Sequence, residues 1–479
     1  MMSPQAQTKT DLDRKSIPGV DRLTIVANRL PVRRVEQGGR KRWQRSPGGL
    51  VSAVAPFVER CHGSWVGWPG YPEKEGPALK PFTHEDISIR PVPLSQDELD
   101  TFYYGFSNAT LWPLYHDAIR PPVFRRSWWR AYVHVNRRYA QAAARAVEPG
   151  DTVWIHDYQL QLVPSMLREL VPKLRIGFFL HIPFPPEEIF ARLPWRTQII
   201  EGLLGSDLIG FQTKLGAQNF SRAARRFSAA RGSDRQLDFS GRPIRVGPYP
   251  ISIDVKHYEQ LAASPEIIKR AEGLRDQMGR NRRVILGVDR LDYTKGIDLR
   301  LRAFRDVLER GRLSVRDCVF NQIAVPSREQ VEQYQELRRN VEEEVGRING
   351  EFSEPGLPAV HYHRRNLPVE DLMAFYLAAD VLVITPLRDG MNLVAKEYVA
   401  SRLDNTGVLV LSEFAGAAHE LRSALLVNPY DIDGMASTLE SAVRLSDRDV
   451  TRRMQAMRRV VKRHDVFKWA DSFITELTR

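Results

Sequence analysis

The sequence predicts an α/β protein built from two doubly wound domains, each a parallel sheet covered by helices. Three observations support this fold class. Short apolar runs typical of buried strands alternate with helix-like segments along the whole chain. At 479 residues the chain is too long for one ordinary hydrophobic core. A stretch rich in proline and glycine, residues 246–254, lies between two groups of apolar runs and is the predicted linker.

The predicted strands fall into two groups along the chain. The first group is 23–27, 152–155, 176–180 and 208–211, and the second is 284–288, 321–325, 381–384 and 408–411. We therefore expect domains at 21–250 and 251–464. Residues 1–20 are polar and have no apolar segment typical of a signal or transit peptide, so we expect a flexible tail and a cytoplasmic protein.

Composition narrows the class of protein. Hydrophobic residues make up 43% and charged residues 27% of the chain, and no apolar run approaches the roughly 18 residues that span a bilayer. Cys61 and Cys318 lie far apart without metal-ligand spacing, so we expect neither a disulfide nor a zinc site. The net charge of +12 fits nucleic acid, acidic lipid or small anionic substrates as a partner. We expect no nucleic-acid binding, because the arginine-rich segment 451–464 reads as a solvated amphipathic helix without a nucleic-acid fold signature.

Polar side chains follow the predicted strands in both domains. They are Asn28-Arg29, His156-Asp157, His181, Asp289-Arg290, Ser327-Arg328 and Arg388-Asp389. Ligands of open parallel sheets bind beyond the carboxyl ends of the strands. Repetition at strand after strand predicts two rims that face one cleft.

Residues 385–397 place Asp389 in a strand-to-helix turn and Glu397 one to two helical turns further on. A helix start offers unpaired N–H groups that can bind a diphosphate. The pair therefore favours a nucleotide-sugar site. The alternative is that Asp389 caps the helix and Glu397 faces water.

Residues 287–296 bring Arg290 and Lys295 onto one loop, and Gly296 permits close approach of a ligand. A planar guanidinium and a mobile ammonium suit a departing diphosphate. Their alternative role is a weak surface salt bridge. Gly48-Gly49 lets backbone amides approach an anion or a sugar, or only shapes a turn.

Seven motifs together resemble one family. They are S-P-G-G-L, G-S-W-V-G-W-P-G, Y-Y-G-F-S-N-A-T-L-W-P-L, W-I-H-D-Y-Q-L, F-F-L-H-I-P-F-P, V-D-R-L-D-Y-T-K-G and T-P-L-R-D-G-M-N-L-V-A-K-E. In this order, they look like the trehalose-6-phosphate synthases. The resemblance implies a GT-B fold with two Rossmann-like domains. It also implies transfer of glucose from a nucleoside-diphosphate glucose to glucose 6-phosphate, with retention. We expect no cofactor, no essential metal and a homotetramer.

The resemblance also implies roles for individual residues. Asp389 and His181 lie at the transferred glucose, and Arg290 and Lys295 bind the donor diphosphate. The other donor-site residues are Gly48, Gly49, Leu372 (whose main chain reads the base), Gly390, Met391, Asn392, Leu393, Val394 and Glu397 (at the ribose). The acceptor-site residues are Arg29, Trp65 (an aromatic wall), Tyr103, Trp112, Asp157 and Arg328. Whether Tyr103 or Tyr104 meets the phosphate stays open, as does the base, since UDP-, ADP- and GDP-glucose all fit. The amphipathic segment 467–479 is expected to cross back to the first domain.

Other functions fit parts of the pattern. A sibling transferase with another phosphorylated acceptor shares the donor motifs, a regulatory homologue lacks catalysis, and a pyridoxal-phosphate phosphorylase has a similar architecture. The segment Asp431-Ile432-Asp433-Gly434 imitates a metal or phosphatase motif, but we expect Asp433 to cap a helix. His361 and His363 share a strand face without a third ligand, which favours a structural role.

Overall fold

The computed structural model describes residues 20, 22–37, 40–46, 49–73, 79–328 and 330–479. Its strands are β1 (Leu23–Arg29), β2 (Val32–Gln37), β3 (Arg40–Arg45), β4 (Ser64–Trp68), β5 (Phe82–His84), β6 (Ile87–Pro91), β7 (Thr152–His156), β8 (Arg175–Leu180), β9 (Leu208–Phe211), β10 (Arg231–Gly232), β11 (Gln236–Phe239), β12 (Arg242–Pro248), β13 (Arg283–Arg290), β14 (Cys318–Val325), β15 (Val360–His363), β16 (Val381–Ile384), β17 (Val408–Ser412) and β18 (Leu425–Val427).

The α-helices are α1 (Gly49–Arg60), α2 (Gln96–Glu98), α3 (Trp112–Tyr115), α4 (Arg126–Ala144), α5 (Val163–Leu170), α6 (Glu187–Phe190), α7 (Arg196–Leu203), α8 (Lys214–Phe227), α9 (Val255–Ala262), α10 (Pro265–Met278), α11 (Ile297–Glu309), α12 (Glu332–Phe352), α13 (Val369–Ala378), α14 (Leu393–Ser401), α15 (Ile432–Val443), α16 (Asp447–Arg463) and α17 (Val466–Thr478). A π-helical segment, Leu99–Leu111, leads directly into α3.

Within the described residues, the strands form two large sheets and one hairpin. The first sheet has the order β10-β11-β12-β9-β8-β7-β1-β4-β6-β5, and the second has the order β15-β14-β13-β16-β17-β18. Every neighbouring pair of the second sheet is parallel, as is each pair from β12 to β6 in the first. All eight predicted strands are present, and the predicted fold class is confirmed.

The central stretches of the parallel strands are mostly apolar and buried because helices cover both faces of each sheet. Strand β7 is buried at every position, and so is β16. The covering helices are amphipathic: α11 buries Ile297, Leu301 and Phe304. This alternation places the carboxyl ends of the strands of each sheet along one edge, where the predicted polar residues lie.

The chain returns to the first sheet after completing the second. Helix α17 packs on β8 and β9, where a Cβ atom at Gly177 would lie 2.7 Å from the Phe473 ring. Phe473 also stacks on Trp154 with ring centroids 4.5 Å apart. The predicted linker overlaps β12, which continues to Pro248 beside β9. The connection to α9 is therefore shorter than the proline and glycine content indicates.

In the described part of the chain, no helix has the length and apolarity that crossing a membrane requires. Among the described residues, the structure contains no disulfide bond.

Candidate active site

Two loops of the second sheet meet at the cleft, one after β13 and one after β16. Lys295 Nζ lies 2.5 Å from Asp389 Oδ2. The backbone of the two loops is also joined, because Leu387 N donates to Thr294 O at 2.7 Å. Gly296 has a φ of 60°, and a Cβ atom there would lie 2.4 Å from Thr385 O. Only glycine allows this approach. The predicted cation of the first loop is thereby in contact with the predicted acid of the second.

A buried ion pair between Arg300 and Asp289 stabilises the loop after β13. Arg300 and Asp289 are both fully buried and bonded to each other. Arg300 also donates to Lys295 O at 3.0 Å and to Val383 O at 2.8 Å. Breaking such a pair leaves an uncompensated buried charge, so the loop is held rigidly.

Asp389 is ionised in this arrangement. Burial opposes its charge, but the adjacent Lys295 ammonium outweighs burial and holds the pKa of Asp389 below its usual value. Its Oδ2 also accepts from Asn392 Nδ2 at 3.2 Å. Asn392 in turn caps α14 by accepting from Ala395 N at 3.2 Å. The alternative role of Asp389 as the helix cap is therefore wrong, because Asn392 fills it.

Asp292, in the loop after β13, is fully buried and has several polar partners. Its Oδ1 accepts from Thr294 N at 3.0 Å, and its Oδ2 accepts from Tyr334 Oη at 3.2 Å. Arg328 Nη1 lies 3.3 Å from Oδ2. Burial opposes the charge, yet Arg328, followed by Arg290 and Lys295, keeps the pKa of Asp292 below its usual range. A fixed negative charge thus orients Arg328.

Arg328 joins the two domains across the cleft. Its guanidinium carbon lies 4.0 Å from the centroid of the Trp112 ring, and its Nη2 donates to Tyr158 Oη at 3.2 Å. Tyr158 Oη donates onward to Asn108 Oδ1 at 2.8 Å. Arg290 approaches the same tryptophan at 5.5 Å. Two cations from the second domain therefore converge on one aromatic ring of the first.

The end of β1 supplies another cation. Arg29 is exposed, and its guanidinium lies 4.6 Å from the Trp68 ring. Trp65, in contrast, is fully buried in the core and donates from Nε1 to Arg29 O at 3.0 Å. In this conformation Trp65 does not form a wall of the cleft, because the Trp65 side chain points inward. Trp68 borders the cation instead.

Both candidate tyrosines lie in the π-helical segment. The Tyr103 hydroxyl interacts electrostatically with Arg328 and Tyr158, whereas Tyr104 interacts with Arg29. Their rings meet edge to face at 5.3 Å. The two hydroxyls are therefore neighbours of different arginines.

Asp157 and His181 form the first-domain rim. Asp157 has φ 75° and ψ 169°, a conformation that is costly for any residue except glycine. Its Oδ1 accepts from His181 N at 3.1 Å. Burial raises the pKa of Asp157 to about 6, although backbone N–H groups, Arg290 and Arg328 favour its charge. Burial also lowers the pKa of His181 to about 3, so this imidazole is neutral.

The two rims touch at a glycine. A Cβ atom at Gly390 would lie 2.3 Å from His181 O, so no side chain fits there without separating the domains. Beside this contact, Arg388 Nε lies 3.1 Å from Asp117 Oδ2. Behind it, the buried His116 donates from Nδ1 to Trp112 O at 2.7 Å. These contacts join the loop after α3 to the Asp389 loop.

Two further predicted donor residues lie on helices of the second domain. Glu397 is bonded to Tyr376 Oη at 2.9 Å, and burial raises its pKa. It therefore does not simply face water. The Leu372 N–H is already used inside α13, donating to Pro368 O at 3.0 Å. The role of the Leu372 main chain at the base stays a prediction, and the N–H groups at the helix start that lack an intrahelical acceptor are those of 369–371.

Comparison with known proteins identifies the family. Residues 21–479 match glycosyltransferase family 20. The chain is 53% identical over 466 residues to trehalose-6-phosphate synthase from Mycobacterium avium, covering 95% of each chain. It is 51% identical over 487 residues to that of Mycolicibacterium smegmatis, covering 99% of this chain and 95% of the relative.

The chain belongs to glycosyltransferase family 20. Solved structures agree with this assignment. Trehalose-6-phosphate synthase from E. coli bound with UDP-2-fluoro glucose is 37% identical, with a TM-score of 0.88 over 96% of this chain and 99% of that one. A UDP-forming trehalose-phosphate synthase from Burkholderia xenovorans in complex with glucose-6-phosphate is 36% identical, with a TM-score of 0.87 over 96% and 100%. The resemblance drawn from the seven motifs is confirmed.

Most predicted site residues of this family 20 protein converge on the cleft. Arg290, Lys295, Asp389, Gly390 and His181 lie around one contact between the domains. Met391 and Asn392 continue that loop, and Leu393 and Val394 begin α14. Gly49 begins α1, and Gly48 lies outside the described residues. The ligand roles of all these residues stay predictions.

Sequence reasoning missed several residues of the site. Asp292, Tyr158 and Asn108 stood inside quoted motifs, where their polarity at loop positions was the available signal. Asp117 had no such signal, because its partner Arg388 comes from the other domain.

The structure explains the two segments that imitate metal or phosphatase motifs, the pair His361 and His363 and the segment 431–434. Within the described residues, no cluster of three or more metal-ligating side chains exists, and His361 and His363 stack at 6.5 Å. Helix α15 is capped by Asp431, which accepts from Gly434 N at 2.9 Å. The predicted cap at Asp433 is therefore wrong by two positions.

Proposed function

We propose that this family 20 protein transfers glucose from a nucleoside-diphosphate glucose to the anomeric hydroxyl of glucose 6-phosphate. The products are α,α-trehalose 6-phosphate and the nucleoside diphosphate. The observation that carries the proposal is the meeting of Lys295 with Asp389 at 2.5 Å beside Arg290, on two loops at the carboxyl edge of one sheet. Lys295, a cation suited to a diphosphate, and Asp389, an acid suited to sugar hydroxyls, are thus in direct contact.

The acceptor is proposed to bind between the domains. Arg328 lies over the Trp112 ring and Arg29 lies over the Trp68 ring, so the pocket has two separate positive charges beside aromatic faces. A phosphate dianion suits such a pocket, and aromatic faces suit a pyranose ring. The B. xenovorans relative in complex with glucose-6-phosphate supports this choice of acceptor.

The proposed chemistry needs no enzyme nucleophile. Arg290 and Lys295 stabilise the charge that develops on the departing phosphate. The leaving oxygen then takes the proton of the acceptor hydroxyl on the same face, so the new bond keeps the donor configuration. Closure of the cleft excludes water that would otherwise hydrolyse the donor. Lys295 exchanges Asp389 for the diphosphate when the donor binds.

A covalent route through Asp389 is the alternative chemistry. It would transfer glucose to a carboxylate oxygen before the acceptor attacks. Mass spectrometry of protein incubated with donor alone separates the two routes. Our proposal expects no glucosylated peptide, and its detection at Asp389 would overturn the mechanism.

The donor base is proposed to be uracil, because the structural relatives are UDP-forming enzymes. Initial rates with UDP-, ADP- and GDP-glucose, each with glucose 6-phosphate, test both substrates, and NMR identifies the product linkage. The proposal expects trehalose 6-phosphate with at least one donor. A product with another phosphorylated sugar alone would indicate the sibling transferase, and no transfer at all would indicate a regulatory homologue.

We also propose a homotetramer located in the cytoplasm, following the family resemblance. Light scattering on the purified protein tests the assembly, and a monomer would contradict it. Cell fractionation tests the location.

A further inference from the structure

Two imidazoles touch beneath the first-domain rim. His156 ends β7 and His181 follows the neighbouring parallel strand β8. His156 Nδ1 lies 3.2 Å from His181 Nε2, which is hydrogen-bond distance. The sequence places His156 at a strand end, but neither the motif roles nor the proposed chemistry uses it.

His156 is a core residue, and among the described residues its side chain makes only this one polar contact. Its side chain is fully buried, and the Trp154 ring packs against it at 4.6 Å. His156 Nε2 is buried without a hydrogen-bond partner in the described part of the chain. His181, in contrast, is partly exposed at the cleft.

Both rings are neutral. Burial lowers the pKa of His181 to about 3 and holds the pKa of His156 well below its usual value. A neutral imidazole carries one ring proton and one bare nitrogen. Of the two facing nitrogens, one must therefore donate and the other accept.

The orphaned Nε2 of His156 decides between the two arrangements. If His181 donated, the His156 proton would sit on Nε2, a buried N–H without an acceptor. If His156 donates from Nδ1, its Nε2 is only an unused lone pair. Orphaned buried N–H groups are the rarer and costlier defect. The second arrangement is therefore favoured, and it leaves the His181 proton on Nδ1.

We propose that His156 is a positioning residue that donates from Nδ1 to His181 Nε2 and thereby fixes His181 as an Nδ1–H donor toward the cleft. Nδ1 lies across Cε1 from the nitrogen that faces His156. The ring can then donate one hydrogen bond to an oxygen of the bound donor sugar. His181 Nε2 is unavailable as a base, because its lone pair already accepts the hydrogen bond from His156. The buried His156 ring thus determines which nitrogen of the His181 ring carries the proton.

This inference rests on the proposed function for its consequence, but not for its geometry. A test on protein without substrate therefore separates the two. In protein labelled with ¹⁵N-histidine, the His181 signal, assigned by its loss in His181→Ala, should show a protonated Nδ1 and a bare Nε2. In His156→Leu the same signal should change to the Nε2–H form. A wild-type His181 protonated on Nε2 would overturn the inference, whether or not the protein transfers glucose.

Substitutions of His156 by asparagine and by glutamine form a matched pair whose kinetics test the proposal. Asparagine places an amide N–H near the position of Nδ1, whereas glutamine moves it toward the position of Nε2. We expect His156→Gln and His156→Leu to lose about tenfold in kcat with little change in KM for glucose 6-phosphate, and His156→Asn to recover most of that loss. If His156→Leu fails to fold, the two amides still decide the question. Equal activity of the asparagine and glutamine variants would contradict the proposal.

A double mutant excludes a purely structural role. If His156 acts through His181, adding His156→Gln to His181→Ala should lower kcat by less than twofold beyond His181→Ala alone. A further tenfold loss in the double mutant would show that His156 affects the site by another route, and would refute the proposed positioning.

Discussion

Asp157→Asn tests how much the buried Asp157 carboxylate destabilises the folded protein. Burial raises the pKa of the Asp157 carboxyl from an ordinary 3.8 to about 6, so near neutral pH the folded protein holds a charge that its surroundings disfavour. Asparagine has nearly the same shape, and its carbonyl oxygen can still accept from His181 N. The substitution should therefore stabilise the fold and impair acceptor binding, which in our proposal uses the carboxylate.

The magnitude follows from the two pKa values. The folded state binds this proton more tightly than the unfolded state does, so wild type loses stability as pH rises from about 4 to about 6. Relative to wild type, Asp157→Asn should gain about 2 kcal/mol of unfolding free energy at pH 5 and about 3 kcal/mol at pH 7. Below pH 4 the gain should nearly vanish.

Urea unfolding monitored by tryptophan fluorescence measures this difference at each pH. Asp471→Asn is the matched control, because it makes the same change at an exposed position of α17, and it should alter stability little. A variant at Asp157 that is less stable than wild type, or equally shifted at all pH values, would refute the reasoning.

Four other perturbations have defined outcomes. Arg290→Ala should lower kcat by about 100-fold to 1,000-fold with an unchanged Tm, because its side chain is exposed; an active variant would show that the diphosphate is stabilised elsewhere. Gly390→Ala should lower kcat/KM and enlarge the radius of gyration, since its Cβ atom would lie 2.3 Å from His181 O; an unchanged radius would contradict the contact. Asp117→Asn should raise the donor KM several-fold by weakening the pair with Arg388 at 3.1 Å, and unchanged kinetics would show that the pair is only a surface contact. Dialysis against EDTA should leave activity intact, and recovery only with added metal would contradict the metal-free mechanism.

The fold was predictable because its central strands are buried on both faces. Such strands are continuous apolar runs, and the eight predicted strands are all present. The buried parallel strand β4 was not predicted. Strand β12 was also missed, because Gly247, Pro248 and its charged residues resemble a linker. It survives near the end of the sheet by pairing with β9. The π-helical segment Leu99–Leu111 also carries no periodicity that distinguishes it from an ordinary helix.

The site was predictable where polar residues stand at strand ends. Arg290, Asp389 and His181 were found this way. Which tryptophan borders Arg29 was not predictable, since Trp65 and Trp68 share one short strand and both are buried. Contacts between domains were also invisible, because the sequence does not show which loops face each other across a cleft. The pair of Asp117 and Arg388 is of this kind.

The central claim is that Arg290 and Lys295 together hold the diphosphate as it leaves glucose. A crystal structure of the protein with UDP and glucose 6-phosphate tests it most directly. Our account predicts diphosphate oxygens at about 3 Å from both side chains, with Lys295 released from Asp389. A bound nucleotide whose phosphates contact neither residue would contradict the account.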